Sequence, residues 1–216
     1  MIFDAFYEHI YRLGVVPVVV LNRVEDAAPL AHALVAGGLP AAEVTFRTPV
    51  AAECIAAMRA AEPDLCLGAG TVLSVSDIGR TLEAGGTFLV SPGFDAAVVR
   101  HCLDLEIPVL PAGVTPTEIM AIRAMGITVS KFFPADIFGG LAAIEALAAP
   151  LVGHRFMPTG GVTLQNLSQY LASPHVVACG GTWMVKGDLI EAGRFDEVER
   201  LVRETVSVVQ SVRKPV

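Results

Sequence analysis

The sequence predicts an α/β fold, a single (β/α)₈ TIM barrel over residues 1–216 with an extra N-terminal helix. Short β-branched, apolar runs alternate with Ala-rich amphipathic segments, and eight such pairs follow one another at a spacing of about 20 to 27 residues. The strand candidates are residues 15–21, 42–46, 66–69, 88–91, 109–112, 128–132, 155–158 and 176–179.

A doubly wound open sheet is the structural alternative, but such a sheet typically has about five to seven strands. Gly68 and Gly70 follow a strand, yet Leu73 stands where a dinucleotide-binding G-x-G-x-x-G motif requires glycine. No linker or change in composition divides the chain, which favours one barrel.

The helix candidates carry start and stop signals. The apolar face of the extra helix consists of Phe3, Phe6, Tyr7, Ile10 and Leu13, and Gly14 ends this helix. The other helices are predicted to begin near residues 25, 49, 74, 95, 115, 140, 163 and 195. Ser74 with Asp77, and Thr115 with Glu118, have the spacing of capping boxes. The glycines at 37–38, 85–86 and 126 are predicted to be left-handed C-caps.

Composition restricts the classes of partner. The net charge of −7 argues against a nucleic-acid partner or an anionic membrane surface, while an anionic small molecule remains compatible with it. No run reaches the roughly 18 apolar residues of a membrane span. The N-terminus lacks the basic region of a secretory signal, so we expect a cytoplasmic protein. Four widely spaced cysteines predict neither disulfides nor a metal site.

Lys131 stands at the predicted end of strand 6, followed by Phe132 and Phe133. In a barrel this end of the strands builds the active site. An apolar setting disfavours a charged ammonium group, and a neutral lysine is a nucleophile that forms a Schiff base with a ketone. The alternative is that Lys131 merely extends its ammonium group to solvent.

Glu43 is the candidate general acid/base. Side chains alternate along a strand, so Glu43 and Arg47 share one face of strand 2 while Val44 and Phe46 take the other. Val44 and Phe46 are suited to pack against the surrounding helices. This orientation of the strand directs Glu43 into the barrel. A carboxylate there is costly unless it is paired or functional, and a structural ion pair with Arg47 or Lys131 is the competing interpretation.

Glycines at the ends of the last two strands predict a phosphate site. Strand 7 ends in Thr159-Gly160-Gly161, and strand 8 in Gly180-Gly181-Thr182. Barrels often bind phosphate through backbone N–H groups at this position. Zinc coordination and a Ser-His-Asp triad are disfavoured, because the histidines do not gather at strand ends and show no metal-ligand spacing.

Six motifs occur in order: Glu43-Val-Thr-Phe-Arg-Thr48, Gly68-Ala-Gly-Thr-Val72, Ser91-Pro-Gly93, Lys131-Phe-Phe-Pro-Ala135, Pro158-Thr-Gly-Gly161 and Gly180-Gly-Thr-Trp183. Together they closely resemble the 2-keto-3-deoxy-6-phosphogluconate (KDPG) aldolases, which are often bifunctional with 4-hydroxy-2-oxoglutarate (KHG) aldolase activity. The resemblance runs from Val15 to about Arg194. It implies a metal-free class I lyase without a cofactor, usually trimeric, which yields pyruvate and an aldehyde phosphate.

The resemblance also implies residue roles. Lys131 would form the Schiff base, and Glu43 would transfer protons. The substrate-binding residues would be Arg47 and Thr71 for the carboxylate, Gly160, Gly161 and Thr182 for the phosphate, and Phe133 as pocket lining. Pro92, Thr159 and Gly181, at strand ends within the matching motifs, complete the candidate substrate-binding set.

Two departures from the family pattern stand out: Thr182 replaces a common serine, and Ala112 replaces a usual glycine. Thr182 keeps the hydroxyl group that serine would supply, while the methyl group of Ala112 is expected to affect substrate preference. The alternatives left open are a 2-keto-3-deoxy-6-phosphogalactonate aldolase of opposite C4 configuration, a phosphosugar isomerase or epimerase, and a non-catalytic phosphate-ligand binding protein.

Overall fold

The computed structural model describes residues 2–213 and contains eight parallel strands. They are β1 Val15–Val19, β2 Ala41–Thr45, β3 Cys66–Gly70, β4 Phe88–Val90, β5 Val109–Leu110, β6 Val129–Phe132, β7 Arg155–Pro158 and β8 Cys179–Gly181. Six strands pair in the order β5-β4-β3-β2-β1-β8, and β6 pairs with β7. Isolated bridges join Ala112 to Lys131 and Thr159 to Gly180, so the sheet closes on itself. The predicted (β/α)₈ barrel is confirmed.

Helices follow the strands and surround them. They are α1 Ile2–Leu13, α2 Ala27–Ala36, α3 Ala51–Ala61, α4 Val75–Glu83, α5 Ala96–Asp104, α6 Pro116–Ala124, α7 Gly140–Ala148, α8 Leu167–Ala172, α9 Gly187–Glu191 and α10 Phe195–Val212. Ser74 and Thr115 form the two predicted capping boxes, at α4 and α6. The short helix α9 was not predicted from the sequence.

The N-terminal half of the barrel interior is an apolar plug. Side chains from the strands fill it, including Val16, Phe88 and Val129. Tyr7 and Ile10 of α1 pack against them from below. The extra helix therefore closes the bottom of the barrel, and polar groups can enter the interior at the carboxyl ends of the strands.

Strand 8 was predicted too early in the chain. Its β-branched residues Val176 and Val177 suggested a strand over 176–179, but Val176 makes only an isolated bridge to Phe156. Pairing with β1 starts at Cys179 and continues through Gly180 and Gly181. Because glycine is rare in strands, propensity alone could not indicate this segment.

In the described part of the chain, residues 2–213, no helix is long and apolar enough to cross a membrane.

Candidate active site

The centre of the site is a contact between Lys131 and Glu43. Lys131 Nζ lies 3.1 Å from Glu43 Oε1. Both residues are buried, with relative exposures of 4% and 0%. The alternation inferred for strand 2 is correct, since Val44 packs in the apolar layer outside the barrel while Glu43 points into it. A buried ion pair satisfies both charges, and it also places a proton donor and acceptor at hydrogen-bond distance.

Glu43 has a second oxygen that faces no partner. Within residues 2–213, Oε2 is buried and accepts no hydrogen bond. A buried polar atom without a partner is unusual and often marks a functional site. One oxygen of this carboxylate therefore contacts the lysine, while the other keeps an unused acceptor inside the barrel.

Gly70 makes room for the carboxylate. A Cβ atom at this position would lie 2.1 Å from Glu43 Oε1. Gly68, two residues earlier on the same strand, likewise lies too close to Phe88 of the apolar plug to carry a side chain. Both glycines therefore accommodate neighbouring side chains of the barrel interior.

The two phenylalanines after Lys131 have different roles. Phe132 belongs to the outer layer, where its ring packs edge-on against Phe156. Phe133 turns the other way, and its ring centroid is 5.2 Å from Lys131 Nζ. Of the two phenylalanines that follow Lys131, only Phe133 therefore supplies an aromatic surface beside the lysine amine.

Arg47 and Thr71 meet at the rim formed by β2 and β3. Arg47 Nε donates to Thr71 Oγ1 at 3.2 Å, which brings together two of the predicted substrate-binding residues. The Nη groups of Arg47 have no acceptor among residues 2–213. Thr71 has a φ of 57°, an uncommon value for a residue with a side chain. A guanidinium group held in this way can bind a carboxylate.

The ends of β7 and β8 lie side by side, because a bridge pairs Thr159 with Gly180. Gly160 and Gly161 both adopt left-handed backbone conformations, with φ of 90° and 76°. In the described part of the chain, the backbone N–H groups of Gly161 and Thr182 donate to no acceptor. Two adjacent strand ends thus present unpaired donors, as an anion site requires.

Thr159 and Trp183 explain why glycine occupies both positions of the 180–181 pair. The buried Thr159 Oγ1 has no partner within residues 2–213, and a Cβ at Gly180 would lie 2.2 Å from it. A Cβ at Gly181 would lie 1.9 Å from the Trp183 ring. Gly181 is buried in β8, while Thr182 follows it and is exposed.

Pro92 lies in the exposed turn after β4, at the same end of the barrel as the other candidates. The sequence did not indicate the roles of Gly70 and Gly180, which accommodate Glu43 and Thr159. Across residues 2–213, no group of three or more His, Cys, Asp or Glu side chains is arranged to hold a metal ion.

A buried lysine paired to a carboxylate at the carboxyl end of a closed barrel is the arrangement expected of lyases that work through a Schiff base. Residues 7–201 match the family model described as "Aldolase: KDPG and KHG aldolase". The chain belongs to this aldolase family.

Known relatives are similar over nearly their full length. The 2-dehydro-3-deoxy-phosphogluconate aldolase of Treponema pallidum is 51% identical over 94% of this chain and 97% of the relative. The KHG/KDPG aldolase of Escherichia coli K12 is 41% identical over 89% and 90%. A crystal structure of KDPG aldolase from Legionella pneumophila, with pyruvate captured as a covalent carbinolamine, has a TM-score of 0.89 and 34% identity over 92% and 97%.

Proposed function

We propose that this chain is a class I aldolase that cleaves KDPG to pyruvate and glyceraldehyde 3-phosphate, and that it also cleaves KHG without a cofactor. The observation that carries the proposal is the buried contact of 3.1 Å between Lys131 Nζ and Glu43 Oε1. The substrates named for relatives that are 51% and 41% identical support the choice of sugar acid.

The first half of the reaction forms the imine. Lys131 transfers a proton from its ammonium group to Glu43 and attacks the C2 ketone of the substrate with the resulting amine. The addition gives a carbinolamine. Glu43 then returns its proton to the departing hydroxyl group, so water leaves and a protonated imine remains while Glu43 is again a carboxylate.

The second half breaks the carbon–carbon bond. Glu43 removes the proton of the C4 hydroxyl group, an aldehyde forms at C4, and the electron pair of the C3–C4 bond moves into the imine to give an enamine. Protonation of the enamine at C3 by Glu43 and addition of water at C2 release pyruvate and free Lys131. A single carboxylate beside the imine nitrogen suffices for every proton transfer.

The remaining candidates hold the substrate. Arg47 and Thr71 bind the carboxylate next to the ketone, since they already contact each other at 3.2 Å. Thr159 Oγ1 binds a substrate hydroxyl group, which its buried and unpartnered position supports. Gly160, Gly161, Gly181 and Thr182 bind the phosphate. Phe133 and Pro92 line the pocket.

The decisive experiment combines trapping with turnover. Borohydride reduction in the presence of pyruvate should inactivate the enzyme and add one pyruvate-derived group per chain at Lys131. The matched control is Lys186→Ala, which alters an exposed lysine in the loop before α9 and should still be labelled. Labelling that persists in Lys131→Ala would overturn the assignment. An isomerase, an epimerase or a simple binding protein would give no imine.

A pyruvate-coupled assay identifies the substrate. The proposal predicts a higher kcat/KM for the phosphorylated gluconate derivative than for its galactonate epimer at C4, with measurable turnover of KHG. If the enzyme prefers the galactonate epimer, the proposed mechanism stands and the proposed substrate is wrong.

The assembly and cellular setting are part of the same proposal. We expect a cytoplasmic homotrimer that acts in the Entner–Doudoroff pathway, as the family resemblance implies. Exposed apolar side chains beside the site, Ile137 at 75% and Phe138 at 47%, are of the kind that a subunit interface covers. Light scattering should give three times the mass of one chain, and a monomeric mass would refute the trimer.

A further inference from the structure

The turn that follows β7 is held in place through its carbonyl groups. The backbone N–H of Ala135 donates to Thr159 O at 2.8 Å, and that of Asp136 donates to Gly160 O at 3.2 Å. These two bonds fasten the beginning of the turn to the segment after β6. The next carbonyl, Gly161 O, has a side chain as its partner.

Asn166 supplies that partner. Its Nδ2 donates to Gly161 O at 3.0 Å, and its Oδ1 accepts from the backbone N–H of Thr163 at 2.8 Å. A carboxamide has a donor and an acceptor at its tip, so one side chain can link both sides of the turn. The helix α8 begins at Leu167, whereas the sequence predicted a start near residue 163.

These contacts fix the direction of two backbone donors. In a trans peptide the C=O and N–H groups point to opposite sides. The bond to Gly160 O therefore sets the direction of the Gly161 N–H group, and the Asn166 bond to Gly161 O sets that of the Val162 N–H group. Within residues 2–213, neither of these N–H groups donates to an acceptor.

We propose that Asn166 is a positioning residue for the phosphate subsite, and that it holds the Gly161–Val162 peptide so that the Val162 N–H group joins the phosphate donors. This inference rests on the proposed phosphate site. Asn166 does not contact Lys131 or Glu43 and acts through the turn alone. Its loss should weaken binding of the phosphate group without changing the imine chemistry.

Two variants separate positioning from folding. Asn166→Ala removes both hydrogen bonds. Asn166→Ser keeps a hydroxyl acceptor for Thr163 N but is too short to reach Gly161 O. Gln165→Ala is the matched control, because Gln165 is the exposed neighbour in the same turn. Thermal melts confirm that each variant is folded before kinetics are measured.

Both Asn166 variants should raise KM for the phosphorylated keto acid by about 5- to 10-fold, which is the scale of one net hydrogen bond. The Ki of inorganic phosphate, measured as a competitor of this substrate, should rise by about the same factor. KM and kcat for unphosphorylated KHG should stay within about twofold of those of the parent enzyme, as should all constants of Gln165→Ala. Equal changes for both substrates, or no change for the phosphorylated one, would overturn the role of Asn166.

A third variant, Gly161→Val, distinguishes failure of this inference from failure of the phosphate site itself. If Gly161→Val selectively impairs the phosphorylated substrate while the Asn166 variants do not, the phosphate site stands and the positioning role is wrong. If Gly161→Val impairs both substrates equally, the proposed phosphate site is wrong, and the inference about Asn166 is refuted with it.

Discussion

Replacing Gly70 by alanine tests the Lys131–Glu43 contact while leaving both residues intact. Gly70 does not have a left-handed backbone conformation, so alanine suits its backbone. The added Cβ would, however, lie 2.1 Å from Glu43 Oε1 and 2.7 Å from Glu43 Cγ. To restore ordinary contact distances the carboxylate has to retreat by about 1 Å, which breaks its bond of 3.1 Å to Lys131 Nζ.

A displacement of about 1 Å in a catalytic group can reduce the rate by about 10²-fold. We therefore expect kcat of Gly70→Ala in the pyruvate-coupled assay to fall by about that factor for both KDPG and KHG, since both substrates depend on the same proton transfers. Gly79→Ala is the control. Gly79 lies within α4, and a methyl group added there would meet no neighbouring atom within 4 Å. Alanine at this position should stabilise the helix by up to about 1 kcal/mol without affecting the rate.

The same reasoning predicts that Gly70→Ala and Glu43→Gln are not additive. Both act through one carboxylate, so the double variant should be no more than about twofold slower than Glu43→Gln alone. A folded Gly70→Ala enzyme with kcat close to that of the parent chain would show that the observed position of the carboxylate is not needed for catalysis.

Three further predictions concern the proton-transfer residue, metal dependence and acid stability. Glu43→Gln should lower kcat by roughly 10²-fold or more and slow the exchange of pyruvate methyl protons with solvent; a change in KM alone would assign Glu43 to substrate binding. Activity should survive exhaustive chelation, because the protonated imine acts as the electron sink, whereas loss with recovery on adding zinc or magnesium would contradict the mechanism. Burial lowers the pKa of His154 from 6.5 to about 4. Between these pH values the unfolded chain binds more protons than the folded chain. The free energy of unfolding should therefore fall as the pH drops through this range, by up to about 3 kcal/mol. Urea melts at several pH values should show a weaker pH dependence in His154→Gln, and an unchanged dependence would exclude His154 as its source.

The barrel could be predicted because its signals are local. Each β-branched run and each capped helix is readable within a few residues, and the count of eight follows from their spacing. The direction of Glu43 was readable for the same reason, since Val44 and Phe46 on the opposite face are apolar. Strand 8 was misplaced because its pairing with β1 runs through two glycines whose local preference opposes a strand.

The neighbours of the site residues could not be predicted, because they depend on register between strands. Glu43 pairs with Gly68 across β2 and β3, and this register brings Gly70 next to the carboxylate. No pattern within either strand specifies that offset. Asn166 was missed for a related reason, because its significance lies in the particular carbonyl that its side chain reaches.

The register between strands also shows how Ala112, which stands where the family usually has glycine, changes the barrel interior. Ala112 forms a parallel bridge with Lys131, so the two side chains lie on the same face of the sheet and Ala112 points inward beside the lysine. Ala112 is buried, and its methyl group occupies space that glycine would leave open on the face of the sheet that carries Lys131. Under the proposed mechanism, crowding at this point acts on the part of the substrate common to KDPG and KHG, whereas the proposed phosphate site lies at the ends of β7 and β8. We therefore expect discrimination between these two substrates to depend on the turn after β7, and Ala112 to influence how closely any 2-keto acid approaches Lys131.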